Sequence, residues 1–402
     1  MPDPYAPPDV APLDSLLPSE PLLLMGAGPV PIPHAVARAN GVVINHLGKT
    51  MAAVVDGLKA MARYAFQTRC DKVMGVAGPA SAAMEMAITS LLWPGRRALS
   101  LKTGVFSGRL AEMASAVGAD VTVLEPPVGL PVTAEDVRRA LRERRYDVVT
   151  LVQGETSCGV LNGELPEIAR LAREHGALTV VDAVVTLSTM PLEMDRWDLD
   201  AVVTGGQKGL SSIPGVSLVA FSDRAWDAIR GRPSPPPHWC FDATRAQRFW
   251  GEHQYHYTAP VPGVLALYEA LRLVCQEGLR ARHERHRTSS RALQAGLEAA
   301  GLELFVPEPI RLNSVVAVRV PPGVNAKDVL SHMSAKFRVE ISGSFGLDVV
   351  RIGQMGEQCR SHNLFKVLYA TGMSFRHFGV NLDVSGGLAA LEEALTREQE
   401  FE

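Results

Sequence analysis

From about residue 50 to 220 the chain alternates between two apolar rhythms, and no other feature constrains its fold as strongly. Helical spacing over residues 81–92, 108–117 and 165–175 is interleaved with short runs too apolar for one-sided burial. Those runs cover residues 121–124, 148–152 and 178–181, and they are rich in Val, Leu and Thr. A strand buried on both faces needs helices on both faces. The pattern therefore predicts an α/β domain with a mostly parallel sheet flanked by helices. Ligands in such sheets sit beyond the carboxyl ends of the strands. Asp182 stands at one expected end, and Gln153 to Thr156 follow another.

The remainder reads as three further pieces. Residues 1–20 are too proline-rich for a helix or central strand and suggest a flexible arm. Residues 232–237, Arg-Pro-Ser-Pro-Pro-Pro, mark an exposed crossover, and residues 265–279 form a long helix leaving the large domain. After it come helical spacing at 281–302, a strand at 315–320, a helix at 325–337, a strand at 349–352 and a helix at 363–373. That is a small α+β domain, and from about Phe375 a closing helix is expected. The expected division is an arm at 1–20, a large domain at 21–275 and a small C-terminal domain at 276–402.

Composition narrows the function. With 402 residues and 47% apolar content, a large core is available. A net charge of −3 gives no electrostatic case for nucleic acid or an anionic membrane. No apolar run approaches the ~18 residues of a membrane helix. The start of the chain lacks a signal-peptide pattern. Five scattered cysteines form no close pair, so a reducing cytoplasm is expected.

Chemistry enters at Lys208, in Thr204-Gly205-Gly206-Gln207-Lys208, with Asp182 closing the apolar run Thr179-Val180-Val181. A lysine amine can condense with the aldehyde of pyridoxal phosphate. An aspartate can keep the pyridine nitrogen of that cofactor protonated, which makes the ring an electron sink. A phosphate needs backbone amides at a helix start. Pro79-Ala80-Ser81 lies before a helix expected to begin near Ala82, where Ser81 would also serve as an N-cap.

With these residues in hand, the chain resembles the class V pyridoxal-phosphate-dependent aminotransferases of the alanine/serine–glyoxylate type, which have fold type I. The likeness runs from about Leu22 to Gly372. It is carried by Gly26-Ala27-Gly28-Pro29, Gly154-Glu155-Thr156-Ser157-Cys158-Gly159-Val160, Val181-Asp182-Ala183-Val184, Gly206-Gln207-Lys208, Tyr255-His256-Tyr257-Thr258 and Arg351-Ile352-Gly353. The resemblance implies Lys208 as the cofactor lysine and general base, and Asp182 as the partner of the pyridine nitrogen. It implies Phe106 stacked on the ring, where relatives often carry Trp. Thr156 would lie beside the cofactor hydroxyl and the substrate. Gln207 would donate to the phosphate. Relatives carry Ser-Gly-Thr or Ser-Gly-His where this chain has Pro79-Ala80-Ser81, and Pro79 has no amide to donate. Ala80 and Ser81 remain as donors. Tyr255 and Thr258 would reach the phosphate of a partner subunit, which implies a homodimer with shared sites. Arg351 would grip the substrate α-carboxylate with two parallel hydrogen bonds, and backbone near Gly28 would approach the same group.

The implied reaction moves an amino group from alanine, serine or an unusual amino acid to a small 2-oxo acid such as glyoxylate or pyruvate. A lyase of the cysteine-desulfurase kind competes, with Cys359 as its candidate thiol. So does a cofactor-binding regulator without turnover, or an α/β enzyme of other chemistry. His283 and His286 have helical spacing but not the pattern of a zinc protease, and they suggest a solvated basic helix face.

Overall fold

The computed structural model describes residues 10–399. Part of the expected arm, residues 1–9, lies outside them. Residues 10–20 are exposed and contain one short helical turn, Leu13–Leu16.

The strands of the principal sheet are β1 (Val73–Gly78), β2 (Arg97–Leu101), β3 (Asp120–Leu124), β4 (Val148–Val152), β5 (Leu178–Asp182), β6 (Ala201–Gly205) and β7 (Gly215–Phe221). Their spatial order is β1-β7-β6-β5-β4-β2-β3. Only β7 runs against its neighbours, pairing antiparallel with both β1 and β6. The sheet is therefore mostly parallel, as the apolar runs require. Every residue of β4, β5 and β6 is buried, which is what helices on both faces produce. Two helices matter for the site: α1 (Ala80–Leu91) follows β1, and α2 (Val105–Ala116) follows β2. Helix α1 begins two residues before its expected start. Pro79, not Ser81, is the N-cap, because proline's fixed φ and missing amide suit a helix entrance. Ser81 thus sits inside the first turn and caps nothing.

A second core is built on an antiparallel sheet of β8 (Val315–Arg319), β9 (Ser342–Gly343) and β10 (Val349–Gly353), with β10 in the middle. Helix α3 (Leu279–Ala299) packs Leu293 and Leu297 into this core. The helix Ser361–His377 adds Leu364, Leu368 and Phe375. The chain then closes with α4 (Val384–Gln399), which lies along α3 and inserts Leu391.

The start of the described chain joins this second core. The strand Leu23–Leu24 pairs in parallel with Val339–Glu340, and Met25 is fully buried there. The Gly353 amide donates to Met25 O at 2.7 Å, and the Ala27 amide donates to Ser342 Oγ at 3.0 Å. These bonds set the 26–29 turn against the end of β10. Among the described residues no helix is long and apolar enough to cross a membrane.

Candidate active site

Several segments converge at the carboxyl ends of the parallel strands. The pairing Val152↔Asp182↔Val203 shows that β4, β5 and β6 end almost level. Asp182 is buried, and its Oδ1 accepts the Val184 amide at 2.8 Å. Lys208 follows β6 by three residues, and its ammonium donates to Ala27 O in the 26–29 turn. Gly28 has φ of +102°, a conformation that L side chains rarely adopt. A Cβ there would overlap Lys208 Nζ, so this glycine makes room for the lysine.

Burial dominates the electrostatics of the pair. It pushes the Asp182 carboxyl up to about 7. Repulsion from Glu155 adds to this, while the Val184 amide, Lys208 and Arg109 oppose it. Burial likewise lowers the Lys208 amine to about 8, reinforced by Arg351 and opposed by Asp182. A lysine held near 8 is a competent base at ordinary pH, which a solvated lysine is not.

The anion cradle lies at the start of α1. Among the described residues, the amides of Ala80 and Ser81 have no partner, and the Ser81 hydroxyl makes no hydrogen bond. Gln207 Oε1 is buried without a partner. A Cβ on Gly205 would stand 2.8 Å from that oxygen and 2.9 Å from Ala80 Cβ. Gly205 therefore lets Gln207 fold against the helix start. Rotation of the Gln207 amide presents an N–H in the same place. An unpaired amide at a helix N-terminus, with two backbone amides and a hydroxyl, suits a phosphate. With Lys208 and Asp182 adjacent, the residues present fit pyridoxal phosphate.

Phe106 is half-buried at the first turn of α2. Its ring meets Phe345 edge-on at 5.8 Å, and the Arg109 guanidinium lies 4.7 Å above it. The turn is held by Glu155, a fully buried carboxylate that the sequence reading left without a role. Glu155 accepts the amides of Phe106 at 3.2 Å and Ser107 at 2.9 Å, and the hydroxyls of Ser107 and Ser157 at 2.8 and 2.6 Å. A carboxylate at a helix N-terminus is favourably placed for the dipole. The available signal was an acidic residue three positions beyond a fully buried strand.

Arg351, in the middle of β10, is buried. It donates from Nε and Nη2 to Gly343 O, at 2.8 and 2.6 Å, and from Nη1 to Thr156 O at 2.7 Å. Three of its five N–H groups are thus used, and one remains on each terminal nitrogen. Donors left on both terminal nitrogens suit a carboxylate. Thr156 is buried, and among the described residues its hydroxyl has no hydrogen-bond partner.

Tyr255 and Thr258 are not brought to this cluster within one chain. Both are exposed, and Tyr255 instead meets the His46 ring at 5.9 Å. The expected solvated face at 281–287 is also corrected. Arg282 and His286 are buried against turns from remote parts of the chain, and His286 Nε2 accepts the Gly356 amide at 2.9 Å. Among the described residues no cluster of His, Cys, Asp or Glu could hold a metal ion.

Neither thiol near the site suits nucleophilic chemistry. Burial pushes Cys158 up to about 12 and Cys359 up to about 11, and Cys359 Sγ donates to Gln354 O at 3.0 Å.

Comparison with known proteins agrees with this architecture. The family model "Aminotransferase class-V" matches residues 34–366. Alanine–glyoxylate aminotransferase of Oryctolagus cuniculus is 34% identical over 88% of this chain and 93% of its own length. (S)-Ureidoglycine–glyoxylate transaminase of Bacillus subtilis is 31% identical over 86% of this chain and 88% of its own. The crystal structure of ureidoglycine–glyoxylate aminotransferase from Bacillus subtilis superposes with a TM-score of 0.90, at 30% identity, over 94% of this chain and 99% of that one. The chain belongs to the class-V aminotransferase family.

Proposed function

We propose that this pyridoxal-phosphate-dependent aminotransferase moves the amino group of a small amino acid to glyoxylate, with pyruvate as second acceptor. The observation that carries the reading is the juxtaposition of Lys208 and Asp182 beside an unsatisfied anion cradle at α1. The names of the rabbit and Bacillus relatives support glyoxylate as acceptor.

When bound, pyridoxal phosphate supplies a conjugated electron sink and a carbon that stores the amino group between half-reactions. The Ala80 and Ser81 amides, with Gln207, would hold its phosphate. Asp182 would face its ring nitrogen, Phe106 would cover one ring face and exclude water, and Thr156 would donate to its hydroxyl. Arg351 and the backbone at Gly28 orient the substrate carboxylate, which fixes the Cα–H bond relative to Lys208. Lys208 Nζ would take the proton from the substrate Cα and deliver it to the cofactor carbon that receives the amino group, and do the reverse in the second half-reaction. Its amine is lowered to about 8, so it can act as base near neutrality and as acid once protonated. A desulfurase would need a reactive thiolate, and the buried Cys359 does not supply one.

Tyr255 and Thr258 would complete the cradle of a second copy. Exposed Val43, Leu47, Trp239 and Tyr255 support such an interface. Light scattering should give twice the 43.3 kDa chain mass. A fully active monomer would sink the shared site. The five free cysteines suit a reducing compartment such as the cytoplasm.

The test is a half-reaction. Single amino acids are added to the cofactor-loaded protein without acceptor, and the released 2-oxo acid is quantified. Stoichiometric 2-oxo acid and pyridoxamine phosphate support the proposal. Release of ammonia, sulfide or carbon dioxide instead would make the enzyme a lyase. In the same assay Arg351→Lys should lower kcat/KM for the donor by about 100-fold, mostly through KM, because an ammonium cannot offer two parallel donors.

A further inference from the structure

Helix α3 reaches the site from outside. Arg282, in its first turn, is 4% exposed, and its charge is balanced by Glu277, whose Oε2 lies 2.6 Å from Nη1. Its other contacts are with two active-site turns. Nη2 donates to Gly209 O, directly after the cofactor lysine, at 2.7 Å. Nε donates to Ser188 Oγ at 3.2 Å, in the turn that follows Asp182. Ser188 Oγ in turn donates to the same Gly209 O at 2.9 Å. Three segments thus share one carbonyl oxygen.

The lysine turn has no comparable tether of its own. Ser211 Oγ and Ser212 Oγ are buried without partners. Among the described residues, only Ser188 and Arg282 bond residues 209–212 through side chains. Both turns sit in a backbone conformation that costs energy, with φ of 70° at Ser188 and 57° at Ser211. The same helix end also holds the exit of the Arg351 strand. Arg285 Nη1 donates to Gly356 O at 2.7 Å, and His286 Nε2 accepts the Gly356 amide at 2.9 Å. A Cβ on Gly356 would overlap Ser211 Oγ, so the two turns are in direct contact.

We propose that Arg282 is a positioning residue for Lys208. It grips the main chain beside the lysine and, through Ser188, the turn after Asp182, so that one buried guanidinium sets where Nζ stands against the Asp182 carboxylate. A buried guanidinium is expensive to desolvate, and a purely packing role would be served by an apolar side chain. Instead, one donor meets the carbonyl of Gly209, the residue after the lysine, and another meets Ser188. Because proton transfer is steep in distance, a small displacement of Nζ acts on the chemical step rather than on substrate affinity.

The inference rests on the reading of Lys208 as the cofactor lysine, and its test separates the two. Removing Arg282 outright would leave Glu277 with Arg285 alone and take both bonds from Ser188 and Gly209 at once, so the informative variants are Ser188→Gly and Arg282→Lys in the full-length, cofactor-loaded protein. Glycine relieves the φ of 70° at position 188, so Ser188→Gly should melt no lower than wild type while losing one bridge. It should lower kcat about tenfold with KM changed less than about twofold. The pH midpoint of the cofactor's visible absorbance should move by about half a unit or more, because the lysine's surroundings change. Arg282→Lys keeps a cation beside Glu277 but cannot bond both turns, and it should show the same pattern more strongly. Wild-type kcat and midpoint in both variants would overturn the proposal. So would losses of kcat that only track losses of thermal stability while the midpoint stays fixed. A wild-type protein whose cofactor absorbance does not respond to pH would instead overturn the assignment of Lys208, and this inference with it.

Discussion

Lys208→Ala should abolish transamination, lowering kcat by at least about 10⁴-fold, because in the proposed mechanism the covalent anchor and the proton shuttle are one amine. Loaded with cofactor, the variant should lack the pH-dependent visible band of the wild type. Full turnover in the variant would remove Lys208 from the mechanism. The wild-type amine carries a second signature. Its folded value of about 8 lies below the ordinary 10.5. In cofactor-free protein, its acylation by an amine-selective reagent should therefore level off above about pH 8 rather than climb toward 10. Linkage has a definite sign here. Between about 8 and 10.5 the unfolded chain binds more protons than the folded one, so stability rises with pH across that window. Lys208→Ala should erase this rise in thermal melts of the cofactor-free protein.

Asp182→Asn should leave the fold intact and lower kcat by about 10² to 10³, the range expected when one preorganised charge is removed from a site. Asparagine preserves the shape and can still accept the Val184 amide, but it cannot stabilise a protonated ring nitrogen. The folded carboxyl, at about 7, lies above its ordinary 3.8. The folded cofactor-free protein therefore binds more protons than the unfolded chain between about 4 and 7, and stability falls as pH rises through that window. The variant should flatten this fall. A variant with wild-type kcat would show that Asp182 does not serve the cofactor ring.

Much of this site could be read from local sequence. Lys208 and Asp182 stand out because each closes or follows a buried strand, and strand ends are where such sheets bind ligands. The parallel sheet was legible because two-sided burial removes alternation from the strands. What escaped the sequence depends on distant partners. Glu155 looks like an ordinary acidic turn residue until the amides of Phe106 and Ser107, about fifty residues earlier, are seen to donate to it. Arg282 and His286 read as a solvated face because their partners, Gly209 and Gly356, lie more than sixty residues away on either side. Ser81 was misread for a local reason: Pro79 starts the helix earlier than a serine cap would. The antiparallel direction of β7 leaves no mark in composition, because a strand buried on both faces looks the same in either direction.

The pairing of Leu23–Leu24 with Val339–Glu340 has a consequence for how the protein is made. On the ribosome, residues 23–27 emerge more than three hundred residues before their hydrogen-bond partners Glu340, Ser342 and Gly353. Domains generally fold in order of synthesis, and contacts so distant in sequence form late. A segment translated before the principal sheet is thus seated after it. Until then the Gly28 turn that meets Lys208 has no strand to fix it. A nascent chain can complete its principal sheet and still lack an active site, so catalytic competence should arrive in one step, once residues 338–353 have been made.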